Sequence, residues 1–204
     1  MRMVILSALL VLSASGCGPQ HPVAQLDPQG RFLSEKVGAR AIVRVAKTVP
    51  LAQYRALAVI TPPDCRIAAD EVGQLKAIGC FEEVVGLHEL PKFVTERHLL
   101  DYPVRFDKWG DYQALARAFK PFLLVRFRCM RQGDIWYRLT VTDPEKVEDL
   151  FVSEVRVWTE AGYLARGLLT LGGGMTVDDD CVGEDKDVRL PLYNALIEWI
   201  NANR

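Results

Sequence analysis

The fold is decided by a stretch in the second half of the chain, Phe122-Leu-Leu-Val-Arg-Phe-Arg-Cys-Met130, and by the segment that follows it, Ile135-Trp-Tyr-Arg-Leu-Thr-Val-Thr142. In the second segment apolar side chains alternate with polar or aromatic ones, which is typical of a β-strand whose two faces differ. The residues between the segments, 131–134, predict a hairpin loop. A turn at Asp143-Pro-Glu-Lys146 then leads to a returning strand from Leu150 to Trp158. These patterns predict an antiparallel meander of three strands.

Upstream of the meander, strands and helices alternate as they do in a parallel sheet. The near-continuous apolar run Tyr54 to Ile60 predicts a strand buried on both faces. Helix and strand signals then alternate, and the last residues, 188–203, predict an amphipathic helix. The predicted fold class is therefore α/β, with a mixed sheet that begins β-α-β-α, continues as the antiparallel three-strand meander and is closed by a C-terminal amphipathic helix. The intervening elements are predicted as a helix over 66–78, a strand over 81–87, a helix over 89–99 and a helix over 112–119.

The first residues carry the pattern of an export signal. Arg2 precedes an apolar run from Val4 to Leu12, and the small residues Ala14-Ser-Gly16 stand directly before Cys17. The run is shorter than the roughly 20 residues that a membrane-crossing helix needs. A cysteine in this position resembles the one in a bacterial lipobox, which implies diacylglycerol on its thiol and an N-acyl chain such as palmitate on the new amino terminus. The alternative is an ordinary secretory signal with an incidental cysteine.

We therefore expect three parts: a lipoprotein signal peptide at 1–16, an acylated amino terminus and tether at 17–50, and one α/β domain at 51–204. Proline and glycine residues, with few large apolar side chains before Ile42, predict the tether. In many lipoproteins an Asp after the acylated cysteine causes retention in the inner membrane. Gly18 in that position favours the periplasmic face of the outer membrane, with the inner membrane as the alternative.

Charge and hydropathy limit the classes of partner. The formal net charge of the chain is -1, and loss of Arg2 with the signal would leave about -2. A chain with no net basic field is not expected to bind nucleic acid, and no basic block flanks Cys17 to hold the membrane by charge. The lipid at Cys17 is thus the expected membrane attachment, and no other cofactor is expected.

Several motifs together resemble one broad group of envelope lipoproteins. They are the lipobox, the opening strand Tyr54-Arg-x-Leu-Ala-Val-Ile60, the segment Gly79-x-Phe-Glu-Glu-Val-Val85 and the closing helix Pro191 to Ile200. This group has the fold of the TolB amino-terminal domain, shared by the curli-secretion lipoprotein CsgG and the penicillin-binding-protein activator LpoB. The resemblance covers about residues 54–203. It implies a non-enzymatic module that contacts other envelope proteins, and it assigns no binding residues.

Four cysteines remain besides Cys17. Cys65 and Cys80 flank a predicted helix of about 13 residues, so nearly 20 Å separates them, whereas a disulfide needs Cα atoms within about 7 Å. Cys129 and Cys181 are the favoured pair, because both are expected near the same sheet edge, and Cys65 with Cys129 is the alternative pair. Cys80 is expected to be a small buried residue, and a chain without any disulfide remains open.

The sequence offers a candidate interaction face and no catalytic constellation. The meander strands place Arg126, Arg128, Arg138, Arg156, Trp136 and Trp158 on their polar sides, and these residue types are enriched in binding hot spots. The alternative is a solvated face without a partner. No metal site is expected, since the cysteines lack CxxC spacing, the histidines lack an HExxH pattern and the acidic run 178–187 departs from a calcium loop.

We therefore expect a non-enzymatic accessory for protein interaction or assembly in the cell envelope. The alternative is a small-molecule or glycan-binding module that uses the crevice near Thr61 to Cys65.

Overall fold

The computed structural model describes residues 22–33, 40–60, 65–102, 104–132, 134–157 and 189–204. Within these ranges six strands and four α-helices are formed, together with one 3-10 turn over Leu51–Tyr54. The elements are, in chain order, β1 (Ile42–Ala46), β2 (Ala58–Ile60), α1 (Cys65–Ala77), β3 (Val84–Gly86), α2 (Leu90–Glu96), α3 (Trp109–Ala118), β4 (Leu123–Gln132), β5 (Asp134–Asp143), β6 (Glu148–Val157) and α4 (Leu190–Ala202).

The six strands form one mixed sheet in the order β1-β6-β5-β4-β2-β3. Strand β2 pairs in parallel with both β3 and β4, whereas β4, β5 and β6 pair antiparallel as consecutive neighbours. The predicted α/β fold class, with a parallel beginning, an antiparallel meander and a closing helix, is confirmed.

Helix ends differ from the prediction in two places. Helix α2 ends at Glu96 rather than near Leu99, because His98 adopts a positive φ of 50° that a right-handed helix cannot continue. Helix α3 begins at Trp109 rather than at Tyr112, and it carries Asp111 in its first turn. A carboxylate there is favoured by the positive end of the helix dipole.

Two apolar clusters lie on opposite faces of the sheet. The first packs α1 and α4 against one face and includes Phe127, Leu139 and Phe151 of the meander. The second packs α2 and α3 against the other face, where Leu124 is the last strand residue that it contains. Strands β4 and β5 thus contribute their odd-numbered residues to the α1–α4 side, so their even-numbered residues point the other way. In β6 the register shift interrupts this alternation, and Leu150 lies in the same cluster as Phe151 and Val155.

Residues 22–33 form a loop, here called the amino-terminal loop, that packs against α1 and α4. Phe32 is only 3% exposed, and its ring meets that of Tyr193 edge-on at a centroid distance of 5.7 Å. The N–H of Phe32 donates to Asn194 Oδ1 at 2.7 Å, and its carbonyl accepts from Asn194 Nδ2 at 3.1 Å. Part of the segment predicted as a tether therefore packs on the domain.

Strand β1 also lies within that segment, and it pairs with β6 at one edge of the sheet. The chain after it is held at Lys47, whose carbonyl accepts a hydrogen bond from Trp199 Nε1 of α4 at 2.9 Å. The packed unit thus includes described residues on the amino-terminal side of the predicted boundary at 51.

Candidate interaction face of the sheet

The antiparallel registers bring the predicted arginines together on the sheet face that points away from α1 and α4. Arg126 is paired with Thr140, Arg128 with Arg138, and Trp136 with Arg156. Among the described residues, none from β5 or β6 belongs to the core cluster of α2 and α3, so that cluster ends at β4. We call this part of the sheet the arginine face, and define it by Arg44, Arg126, Arg128, Trp136, Arg138, Glu154 and Arg156.

Glu154 is the central group of the arginine face. Its Oε2 accepts a hydrogen bond from Arg44 Nε at 2.8 Å, and its Oε1 accepts one from Arg138 Nε at 2.7 Å. Burial leaves the side chain 7% exposed and by itself raises its pKa. The hydrogen bonds and positive charges of Arg44 and Arg138 outweigh this effect, so the pKa of Glu154 lies below its ordinary value. The carboxylate is therefore ionised and shared between two guanidinium groups.

Arg128 is the unbalanced charge of the face. It lies directly opposite Arg138 in the β4–β5 register, and like charges in this position repel. Its side chain is exposed, and it makes no ion pair with any residue in the described part of the chain. The row thus holds three arginines, Arg44, Arg128 and Arg138, and one carboxylate, so its net charge is positive.

Arg126 is held within the protein. One of its terminal nitrogens donates to Thr142 Oγ1 at 2.9 Å and to Asp149 Oδ1 at 3.0 Å. Its guanidinium lies 5.3 Å from the ring centroid of Trp109, at the start of α3. These contacts are typical of an arginine that joins β4, β6 and α3, and they leave it less available to a partner than Arg128.

Arg156 and Trp136 form the end of the face toward the β4–β5 turn. The guanidinium of Arg156 lies 5.8 Å from the ring centroid of Trp136, at the distance of a cation–π contact. Trp158, the remaining member of the predicted set, lies outside the described residues.

Sequence reasoning missed three residues that shape this face, namely Arg44, Trp109 and Asp149. Arg44 belongs to a strand whose side chains are mostly exposed, and it is the residue at the bulge between Val43 and Val45, from which its side chain bonds to Glu154. Neither the strand pairing nor the bulge has a clear sequence signal. The alternation Asp149, Phe151, Ser153 could not have identified Asp149 as the partner of Arg126, since a second register shift lies next to Thr142.

The structure tests only some of the cysteine predictions. Cys80 is buried and unpaired among the described residues, as predicted, and burial raises the pKa of its thiol. Cys17, Cys181 and the side chains of Cys65 and Cys129 lie outside the described part, so the pairs Cys129–Cys181 and Cys65–Cys129 stay predictions. The crevice predicted near Thr61 to Cys65 falls largely in the same gap.

The described ranges hold no candidate for a metal site or for a membrane-crossing helix. They contain no group of three or more His, Cys, Asp or Glu residues placed to hold a metal ion. None of their helices has both the length and the apolar character needed to cross a membrane.

The fold and the face together define an α/β domain whose sheet is covered by α1 and α4 on one side. On the other side α2 and α3 cover the sheet as far as β4, and an arginine cluster lies beyond them. No family model and no curated protein matches the chain. Among solved structures, the C-terminal domain of LpoB from Escherichia coli is similar at a TM-score of 0.35 and 11% identity, over 52% of this chain and 85% of that one. The PelC dodecamer from Paraburkholderia phytofirmans is similar at a TM-score of 0.29 and 11% identity, over 63% of this chain and 91% of that one. Because both TM-scores are below 0.5, neither likeness carries an argument about function.

Proposed function

We propose that this protein is a lipid-anchored, periplasm-facing accessory of the bacterial envelope, and that its arginine face binds an acidic segment of another envelope protein. The proposed role is binding rather than catalysis. The proposed anchor is the acylated Cys17, and the proposed location is the outer membrane, which the run before Cys17 and the following Gly18 favour.

The observation that supports this role is the row formed by Arg128, Arg138, Glu154 and Arg44. The guanidinium groups of Arg44 and Arg138 share the Glu154 carboxylate, and Arg128, opposite Arg138, has no ionic partner in the described part of the chain. Placing two like charges opposite each other costs stability, and a partner carboxylate beside Arg128 would offset that cost. Guanidinium groups bind carboxylates through paired hydrogen bonds, so the expected partner carries Asp or Glu at its contact site.

Apolar surface next to the charges fits a protein partner. Ile42 is aligned with Glu154 across the β1–β6 pairing and is exposed, and Trp136 lies on the same face. Charged groups beside exposed apolar and aromatic side chains are typical of protein interfaces, where they supply specificity and buried area together.

The binding proposal is tested by crosslinking in whole cells, followed by identification of the captured proteins. Arg128→Glu should abolish capture of the specific partner, because it places an acidic group where the partner's carboxylate would lie. Lys76→Glu is the matched control, since it makes the same charge change at an exposed position on α1, on the opposite side of the sheet.

An Asp-to-Arg or Glu-to-Arg change in the identified partner should restore capture by Arg128→Glu. Equal capture by the wild type, Arg128→Glu and Lys76→Glu would refute the proposed binding face. The anchor has its own test, since radiolabelled palmitate should enter the wild type and not Cys17→Ser. Absence of label in both would refute the lipoprotein assignment.

A further inference from the structure

The amino-terminal loop determines how far the domain can lie from Cys17. Pro22, the first described residue, is five positions after Cys17 in the sequence. Even a fully extended chain gains at most about 3.6 Å per residue, so Pro22 lies within roughly 18 Å of Cys17 in any conformation. If the loop were undocked up to Ile42, the same estimate would allow about 90 Å.

The loop is held on the domain by contacts with two helices. On α1, the N–H of Ala24 donates to Gln74 Oε1 at 3.2 Å, and Gly73 leaves room for Val23. A Cβ atom at Gly73 would lie 2.9 Å from Val23 Cγ2, closer than real Cβ contacts allow. On α4, the paired hydrogen bonds between Phe32 and Asn194 fix the other end of the loop.

The loop also presents apolar side chains to its surroundings. Val23 is 46% exposed and Leu33 is 56% exposed, although both belong to a loop whose Phe32 is buried. Exposed apolar side chains close to an acylated residue suit the boundary between headgroups and acyl chains, where apolar area adds to the binding strength of a lipid.

We infer that acylation at Cys17 holds the α1–α4 side of the domain against the membrane surface and turns the arginine face away from it. This inference rests on the proposed lipid anchor. The amino-terminal loop lies on the helices α1 and α4, whereas the arginine face lies on the opposite side of the sheet. The amino-terminal loop and the arginine face are therefore separated by the sheet and by the layer of α1 and α4, and that helix layer is itself about 10–12 Å thick.

The orientation has a physical consequence for the arginine face. On a free tether of about 90 Å, the uncompensated arginines could settle on anionic lipid headgroups, which attract basic residues. A short, docked connection keeps these arginines beyond the headgroup layer and available to a protein.

The inference is tested with the acylated full-length protein in vesicles that carry an acceptor dye on their lipids. A fluorophore is attached through an unnatural amino acid, because the chain contains five cysteines. It is placed at the exposed Gln25 of the loop in one sample and at Arg128 in the other. We expect higher energy transfer to the membrane from position 25 than from position 128.

The matched control carries a 20-residue glycine–serine insertion between Gly18 and Pro19, which leaves every described contact intact. It should remain bound to vesicles, and the difference in transfer between the two positions should disappear. Equal transfer in the acylated protein without the insertion would overturn the orientation while leaving the anchor in place. A protein that is not acylated and does not float with vesicles would overturn the proposed anchor instead, so the two failures are distinguishable.

Discussion

Replacing Phe32 with alanine tests whether the amino-terminal loop is a stable part of the folded domain. The ring is 3% exposed, it packs on Tyr193, and the backbone of Phe32 is bonded on both sides by Asn194. Removing a buried phenylalanine side chain costs about 3–5 kcal/mol, as lost transfer energy and a cavity. Because Phe32 lies in a loop at the edge of the core cluster, we expect a loss at the lower end of this range, about 3 kcal/mol.

The measurement is equilibrium urea unfolding followed by circular dichroism. With an m-value of about 2–3 kcal/mol/M for a domain of this size, the midpoint should fall by about 1 M or slightly more. Leu33→Ala is the matched control, since it removes a large apolar side chain that is 56% exposed and should change the free energy of unfolding by less than about 1 kcal/mol. If Phe32→Ala costs no more than Leu33→Ala, the loop does not contribute to the fold, and the argument for a short connection to Cys17 fails with it.

Three further changes test other parts of the structure. The lowered pKa of Glu154 means that its carboxylate stabilises the fold above the ordinary glutamate pKa of about 4.3, and that this contribution is lost as the pH falls through the lower folded value. Wild type should therefore lose stability more steeply than Glu154→Gln between pH 6 and 3, and parallel profiles would contradict the shared ion pair. Tyr54→Phe should cost about 1–2 kcal/mol in thermal unfolding, because the buried hydroxyl donates to Asp143 Oδ2 at 2.8 Å, whereas Tyr102→Phe at an exposed site should cost nothing measurable. Val147 has a φ of 55°, which strains a β-branched residue, so Val147→Asn should raise the free energy of unfolding by about 1 kcal/mol. Val43→Asn is the control at a comparably exposed strand site, and a gain of the same size there would refute strain as the cause.

The meander was predictable because its side chains alternate along Ile135 to Thr142 and because the turn at Asp143 has clear residue preferences. The structure adds that Asp143 Oδ1 accepts backbone hydrogen bonds from Glu145 and Lys146, which is the local reason for that turn. Strand β2 was visible for a similar reason, since a strand between two helix layers needs apolar side chains on both faces. Only Ala58–Ile60 of the predicted run Tyr54 to Ile60 forms the strand, and Tyr54 belongs to the preceding 3-10 turn.

The packing of the amino-terminal loop and the pairing of β1 with β6 were not predictable from their own residues. Phe32 is a single aromatic side chain among polar and turn-forming residues, and its burial depends on a groove formed by helices far along the sequence. Ile42 and Val43 are exposed in the structure, so β1 is held by its backbone pairing with β6 rather than by an apolar pattern. Such long-range pairing has no local sequence signal.

The arginine face was predicted by alternation, but its charge balance was not. Alternation places Arg126 and Arg138 on the polar side of their strands without specifying which residue lies opposite each one. The observed registers give each of them an acidic partner, Asp149 and Glu154, and leave Arg128 beside another arginine. Fewer arginines of the face are therefore available to a partner's carboxylate than the alternation of the sequence indicates.

The bulge in β1 has a consequence for the solubility of the folded protein. An edge strand exposes backbone groups that can pair with a second molecule, and an apolar edge such as Ile42-Val43 invites aggregation. The irregular pairing between Val43 and Val45 breaks the straight edge, and the salt bridge from Arg44 to Glu154 keeps a charged side chain beside it. The same glutamate that organises the arginine face thus also helps to protect the sheet from growing into a larger, intermolecular one.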